Sequence, residues 1–177
     1  MSKKIVVMGG SFNPPTIAHQ KLMLLAVDSL NAEKGIFVPS SHKYVKKKME
    51  KTDGFSKVID ENTRFQMLCK MAEDDSRLLV DDCEYHTVES GHTYETMLHL
   101  QEKYPDYQLY FVVGGDKLCI IPRWRRIKEF LDQFNFLVTD REEFNAEEKL
   151  NENDFLRLYK DKFSIIDSPF LFMIEIS

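Results

Sequence analysis

The sequence predicts a doubly wound α/β fold: a parallel sheet in three layers, with helices on both faces. Three observations predict it. Short apolar runs alternate along the 177 residues with longer stretches of helical spacing, the arrangement of strand–helix units rather than of hairpins. The two clearest runs, in KKIVVM and QLYFVV, are apolar on successive residues, as strands covered on both sides must be. Each of these runs leads into a glycine-paired turn, the place where an open parallel sheet binds ligands.

The elements follow in order. Lys3–Met8 is the first strand, and Gly9 to Pro15 (GGSFNPP) is turn chemistry. From Thr16, a candidate N-cap, to about Leu30 the residues Ile17, Leu22, Leu25, Ala26 and Leu30 keep helical spacing. Gly35–Val38 is a second strand. Pro39 to about Asp60 shows no apolar periodicity and carries Lys43, Lys46, Lys47, Lys48 and Lys51, so it reads as a long mobile loop. Glu61–Glu73 is a helix and Leu78–Val80 a strand. Thr93–Lys103 is a helix stopped before Pro105, and Gln108–Val113 is the central strand. Pro122–Leu131 and Asp154–Asp161 read as helices, Phe134–Val138 and Phe163–Ile166 as strands. No internal repeat or linker divides the chain, so a single domain over residues 1–177 is expected.

Composition narrows the function. Twenty-four basic against 29 acidic side chains give a net charge of −5, which argues against a broad nucleic-acid or membrane-binding surface and leaves room for a local phosphate pocket. Cys69, Cys83 and Cys119 are odd in number and lie in apolar stretches, which predicts buried thiols in a reducing compartment. The apolar run before Gly9 is too short for a signal peptide or a membrane span. A cytoplasmic protein is expected.

Two turns carry the chemistry. In Gly9-Gly10-Ser11-Phe12-Asn13-Pro14-Pro15-Thr16-Ile17-Ala18-His19, paired glycines admit a phosphate close to the backbone, and the helix start adds free N–H groups. Thr16 and His19, three apart, are placed to meet one anion together. The plainer alternative is a strand–turn–helix with a capping threonine and an exposed histidine. In the second turn, Gly114-Gly115-Asp116-Lys117, a carboxylate after a buried strand suits a ribose hydroxyl, though such turns are common. Cys83, His86, His92 and His99 match no standard zinc spacing, and no metal site of protein ligands is expected.

The order of residues in the first turn goes further. GSFNPPTxxH resembles the signature of the nucleotidylyltransferase superfamily, a small-residue loop followed by H/T-x-x-H. The second turn, with Pro122-Arg123-Trp124, resembles the G-x-D…P-x-W arrangement of its nicotinate and nicotinamide mononucleotide adenylyltransferases. Ser90-Gly91-His92-Thr93-Tyr94-Glu95-Thr96 resembles the S-x-T-[YW]-x-[DE]-T stretch of that branch, and His42-Lys43 its P-x-x-x-H-K.

The resemblance implies a Rossmann-like fold and an enzyme joining a pyridine mononucleotide to the AMP of ATP with release of pyrophosphate, in NAD biosynthesis. It implies that Gly9, Gly10, Ser11, Phe12, His19, Gly114 and Asp116 bind ATP, with Thr16 and His19 on its phosphates. Asn13, Lys43, Thr93, Tyr94, Trp124 and Arg141 would bind the mononucleotide, Trp124 by stacking on the pyridine or else packed in the core. His19, Thr16 and Lys43 would serve catalysis, and Mg²⁺ would enter through the ATP phosphates. Nicotinate is preferred to nicotinamide; oligomeric state is left open, a homo-oligomer included. Rival readings are a pantetheine-phosphate or cytidylyl enzyme and a non-catalytic nucleotide-binding relative. A redox domain is disfavoured, because GGSFNPP is not a spaced-glycine GxGxxG loop. Family members carry a downstream I-S-S-T-x-[IV]-R segment, and Ile174-Glu175-Ile176-Ser177 resembles its opening alone. The expectation is therefore a domain lacking that segment here.

Overall fold

Strand β1, Lys3–Gly10, begins with two lysines and then has Ile5, Val6, Val7 and Met8 without any exposed surface. A strand so thoroughly apolar is stable only at the centre of a sheet covered on both faces. The structure, a computed structural model that describes residues 2–52, 57–88, 90–140 and 145–168, places it there. The chain continues through α1 (Ile17–Leu30), β2 (Lys34–Pro39), α2 (His42–Thr52), α3 (Glu61–Ala72) and β3 (Leu78–Val80). Beyond these come α4 (Cys83–His86), α5 (Thr93–Lys103), β4 (Tyr107–Gly114), α6 (Ile127–Gln133), β5 (Asn135–Asp140), α7 (Ala146–Glu152), α8 (Asp154–Leu158) and β6 (Phe163–Asp167).

The six strands form one parallel sheet in the order β3-β2-β1-β4-β5-β6. The chain builds outward from β1 to β3, then crosses back to β4 and builds outward on the other side. The order therefore reverses between β1 and β4, and a crevice opens beyond their carboxyl ends. Side chains alternate across a strand. Ile5 and Val7 accordingly join the layer of α5 and α6, whereas Val6 and Met8 join the layer of α1 and α3. This is the doubly wound, three-layer α/β domain expected.

Helix α1 sits close on the sheet because Gly35 of β2 has no side chain. A Cβ there would come within 2.7 Å of the Met23 sulfur and 3.0 Å of Val27, nearer than packed carbon and sulfur tolerate. The helix starts at the expected N-cap, Thr16, and ends at Asn31 in the left-handed conformation. Its buried face is His19, Leu22, Met23, Ala26 and Val27, and Ile17 is exposed instead.

Several expectations are corrected. Pro39 to Asp60 is not one long loop, because α2 occupies its first half: Val45 is fully buried and anchors the helix while Lys43, Lys46, Lys47 and Lys51 are exposed. The helix read at Pro122–Leu131 is a 3₁₀ turn, Ile121–Arg123, followed by α6. Between them Trp124 is extended and Arg126 left-handed, which no continuous helix allows. The helix read to Asp161 stops at Leu158, before a 3₁₀ turn at Lys160–Lys162. Cys119 is exposed, not buried. Helices α4 and α7 were not anticipated.

Candidate active site

A cavity of about 410 Å³ lies at the switch point, within the size range of small-ligand sites. Gly9 and Gly10 form its floor at the end of β1, and Thr93 and Tyr94 at the start of α5 form one wall. Trp124, Phe111 and Phe130 add aromatic lining, and Lys48, Lys117 and Arg125 bring cations to it. Stretches far apart in the chain thus meet in one concavity.

The turn after β1 is tied down by its own side chains. Thr16 caps α1, and the His19 ring turns back on it: Nδ1 accepts from the Thr16 backbone N–H at 3.0 Å and lies 2.8 Å from the Thr16 hydroxyl. This capping box makes Nδ1 an acceptor, so the proton of the neutral ring sits on Nε2. Burial pushes the His19 pKa down to about 4, and the ring is neutral at physiological pH. It is neither the exposed histidine of the plainer reading nor an imidazolium; it is a neutral donor at a helix N-terminus.

Phe12 has a φ of 43°, and its buried ring meets His19 edge-on at 5.0 Å and Phe37 at 5.7 Å. Its side chain is core, which leaves only its backbone for a ligand. Asn13 donates to the Lys57 carbonyl at 3.2 Å and accepts from the Ile59 N–H at 2.8 Å, so its amide ties the turn to the segment before α3. Ser11 is buried, and its carbonyl accepts from Arg64 at 2.8 Å.

The other expected residues divide. Thr93, Tyr94 and Trp124 line the cavity. The Tyr94 hydroxyl accepts from Gln133 at 2.8 Å, and the Arg126 guanidinium lies 4.4 Å from its ring centroid, so Tyr94 offers a ring edge and backbone. Trp124 packs edge-on against Phe136 at 5.7 Å and Phe111 at 6.4 Å with part of its indole toward the cavity, joining both alternatives of the sequence reading. The Asp116 carboxylate folds back over Gly114, where a Cβ would collide with it, and pairs with Lys117 at 3.4 Å. Lys43 is exposed and does not line the cavity; Lys48, five residues further along α2, does. Arg141 and Ile174–Ser177 lie outside the described residues.

Sequence reasoning missed Glu84. It is buried on the cavity wall, accepts from the Thr96 hydroxyl at 2.8 Å, and burial raises its pKa. Lys48 falls among the five lysines of the segment read as a loop, and that run obscures its spacing of three from Val45, which is buried. Asp81, Cys83 and His99 bring one ligand atom each within 4.8 Å of one another. The Asp81 carboxylate there is already engaged by Lys103 at 2.8 Å and the Cys83 N–H at 3.0 Å. No helix among the described residues is long and apolar enough to cross a membrane.

The sequence and the fold have known relatives. The family model described as cytidylyltransferase-like matches residues 7–171. The chain belongs to the cytidylyltransferase-like family. Among curated members, a probable nicotinate-nucleotide adenylyltransferase of Clostridium novyi is 30% identical over 177 residues, spanning 99% of this chain and 83% of that protein. One of the same description from Lachnoclostridium phytofermentans is 29% identical over 176 residues, with 99% and 83% covered. The fold is shared with the nicotinic acid mononucleotide adenylyltransferase of Plasmodium falciparum. Its complex with APC aligns with a TM-score of 0.70 at 21% identity, covering 94% of this chain and 75% of that one. Its complex with NaAD gives 0.67 at 20%, with 94% and 76% covered. In this cytidylyltransferase-like chain, the turn after β1 and the cavity beside it fall inside the matched region.

Proposed function

We propose that the chain is a nicotinate-nucleotide adenylyltransferase of NAD biosynthesis, working in the cytoplasm. The observation that carries this reading is the meeting of Gly9 and Gly10, which open the GGSFNPP stretch, with the Thr93–Tyr94 helix start and Trp124 in one cavity. Backbone at Gly9–Gly10 and the aromatic side chains Phe111, Trp124 and Phe130 on the same cavity suit a triphosphate and a pyridine nucleotide together. The names of the relatives support the same substrate pair. Three unpaired cysteines fit a reducing compartment.

In the reaction an oxygen of the mononucleotide phosphate attacks the α-phosphorus of ATP in line. The bond from that phosphorus to the oxygen bridging to the β-phosphate breaks, and its electron pair leaves with pyrophosphate. Both reactants are anions, so the protein's part is positioning and stabilisation of developing charge. His19 donates Nε2–H to a phosphate oxygen, its tautomer held by Thr16. Lys48, Lys117 and Arg125 offset the charge of the assembled phosphates, and Trp124 orients the pyridine. The donor set fits Mg²⁺ carried in by ATP: among the described residues, cations and one carboxylate, Glu84, line the cavity, so phosphate and water supply most of the ion's ligands. When bound, the ion would neutralise charge on the triphosphate.

The test is pyrophosphate release from ATP with nicotinate mononucleotide, nicotinamide mononucleotide, phosphopantetheine, or CTP in place of ATP. Release is expected with ATP and nicotinate mononucleotide; release with neither pyridine mononucleotide overturns the reading.

A further inference from the structure

Helix α3 carries a charge on its buried face. Arg64, Leu68 and Ala72, spaced by four, are its buried residues, and Arg64 has no exposed surface at all. Its Nε donates to the Ile59 carbonyl at 3.1 Å and Nη1 to the Ser11 carbonyl at 2.8 Å. Tyr85 presents its ring at 5.8 Å. Among the described residues Nη2 is buried without a hydrogen-bond partner, and no carboxylate pairs with the guanidinium, in contrast to Arg77, Arg126 and Arg157. A guanidinium stays charged at any pH a protein meets, and a buried charge without its opposite is among the costliest arrangements in a fold. It is retained directly behind the turn that closes β1.

The geometry of that turn says what the charge does. A trans peptide points its carbonyl and its N–H in opposite directions. Arg64 draws the Ser11 carbonyl toward itself, which turns the Phe12 N–H to the opposite side of the turn. Phe12 is also held at a φ of 43°, a region that residues with a Cβ avoid, while its ring is fixed against Phe37 and His19. The peptide is thus held in an unfavourable shape by a cation on one side and ring packing beneath.

We propose that Arg64 is a positioning residue for the triphosphate, acting through the Ser11–Phe12 peptide, and that its charge finds its counterpart only when ATP is seated. The proposal deepens the adenylyltransferase reading and rests on it. Arg64→Lys keeps the charge and loses the fork; Arg64→Met loses both. Each is made in the full chain and assayed for pyrophosphate release with ATP, Mg²⁺ and nicotinate mononucleotide. The Phe12 amide signal is followed by NMR as ATP is added.

The KM for ATP is expected to rise about tenfold or more in Arg64→Met and less in Arg64→Lys, the size of one lost charge-assisted contact. The KM for the mononucleotide stays within about threefold, and the ATP-induced shift of the Phe12 amide is lost in Arg64→Met. An ATP KM unchanged in both variants overturns the proposal. So do two KM values rising together with a fall in Tm, the behaviour of a residue that only supports the fold. If Arg64→Met does not fold, Arg64→Lys decides. A wild-type chain that releases no pyrophosphate defeats the adenylyltransferase reading instead, and the Phe12 shift in wild type against Arg64→Lys then still tests Arg64.

Discussion

The turns after β1 and β4 stand side by side at the switch point and are built in opposite ways. In the first, the polar groups are spent on the protein itself: His19 Nδ1 on Thr16, the Asn13 amide on Lys57 and Ile59, the Ser11 carbonyl on Arg64. In the second, Lys117, Trp124 and Arg125 reach the cavity, and Asp116 keeps 47% of its side chain exposed. The difference separates two kinds of recognition. Internal wiring fixes backbone groups and one imidazole before a ligand arrives, which suits charge stabilisation during bond breaking. Side chains with open ends suit the grip on a substrate in its ground state. Loss of the His19 imidazole should therefore fall on kcat, loss of Arg64 behind the same turn on the KM for ATP, and damage to the second turn on the KM for the mononucleotide.

The largest expected effect sharpens this contrast. His19→Ala should lower kcat by roughly 10²–10³-fold, about 3–4 kcal/mol, while the chain remains folded; near-normal turnover in a folded variant would break it. The same ring gives the first turn a pH signature. Its folded pKa of about 4 lies below the ordinary 6.5, so below pH 6.5 the unfolded chain binds the extra proton. Stability is then fully present above 6.5 and lost as pH falls toward 4, by about 3 kcal/mol in all. Urea unfolding at pH 7 and pH 4.5 should show this loss in wild type and not in His19→Gln, which cannot titrate.

On the second side, Trp124→Ala should raise the KM for the mononucleotide by about 1–3 kcal/mol, the value of one stacked ring, with Trp124→Phe recovering most of it. An equal loss for ATP alone would reverse the assignment of the two sides. The smallest expected effect separates two lysines. Lys48→Ala should weaken substrate binding by about 1 kcal/mol and Lys43→Ala by less, since only Lys48 lines the cavity. Steady-state KM values at low and high salt check both.

The sheet was legible because strands buried on both faces have few alternatives in composition, and Lys3–Met8 and Gln108–Val113 could be little else. The helix ends were legible where a cap is written in residue type, as at Thr16. Helix α7 carried the same kind of signal unread: the Asn145 side chain accepts from the Glu148 N–H at 3.2 Å, an N-cap with an acid three residues on. Helix α2 was hidden because one buried anchor, Val45, gives too little periodicity against five lysines. Arg64 was hidden differently. It repeats with Leu68 and Ala72, but an arginine in an amphipathic stretch reads as its wet side, and only the tertiary contact with Ser11 reveals the exception. In the second turn, the direction of the Asp116 carboxylate is a rotamer, and no motif spells a rotamer.

The bare backbone of Gly35 extends the determinants of the nucleotide pocket beyond its walls. That position is a bearing on which α1 rests: whatever stands at 35 sets the height of the helix above the sheet, and α1 is a rod with His19 on its first turn. A single methyl group at that position must displace the Met23 and Val27 side chains, and whatever part of that shift α1 takes up moves His19 without changing any residue of the cavity wall. Reach, in this enzyme, is governed partly by the thickness of a layer.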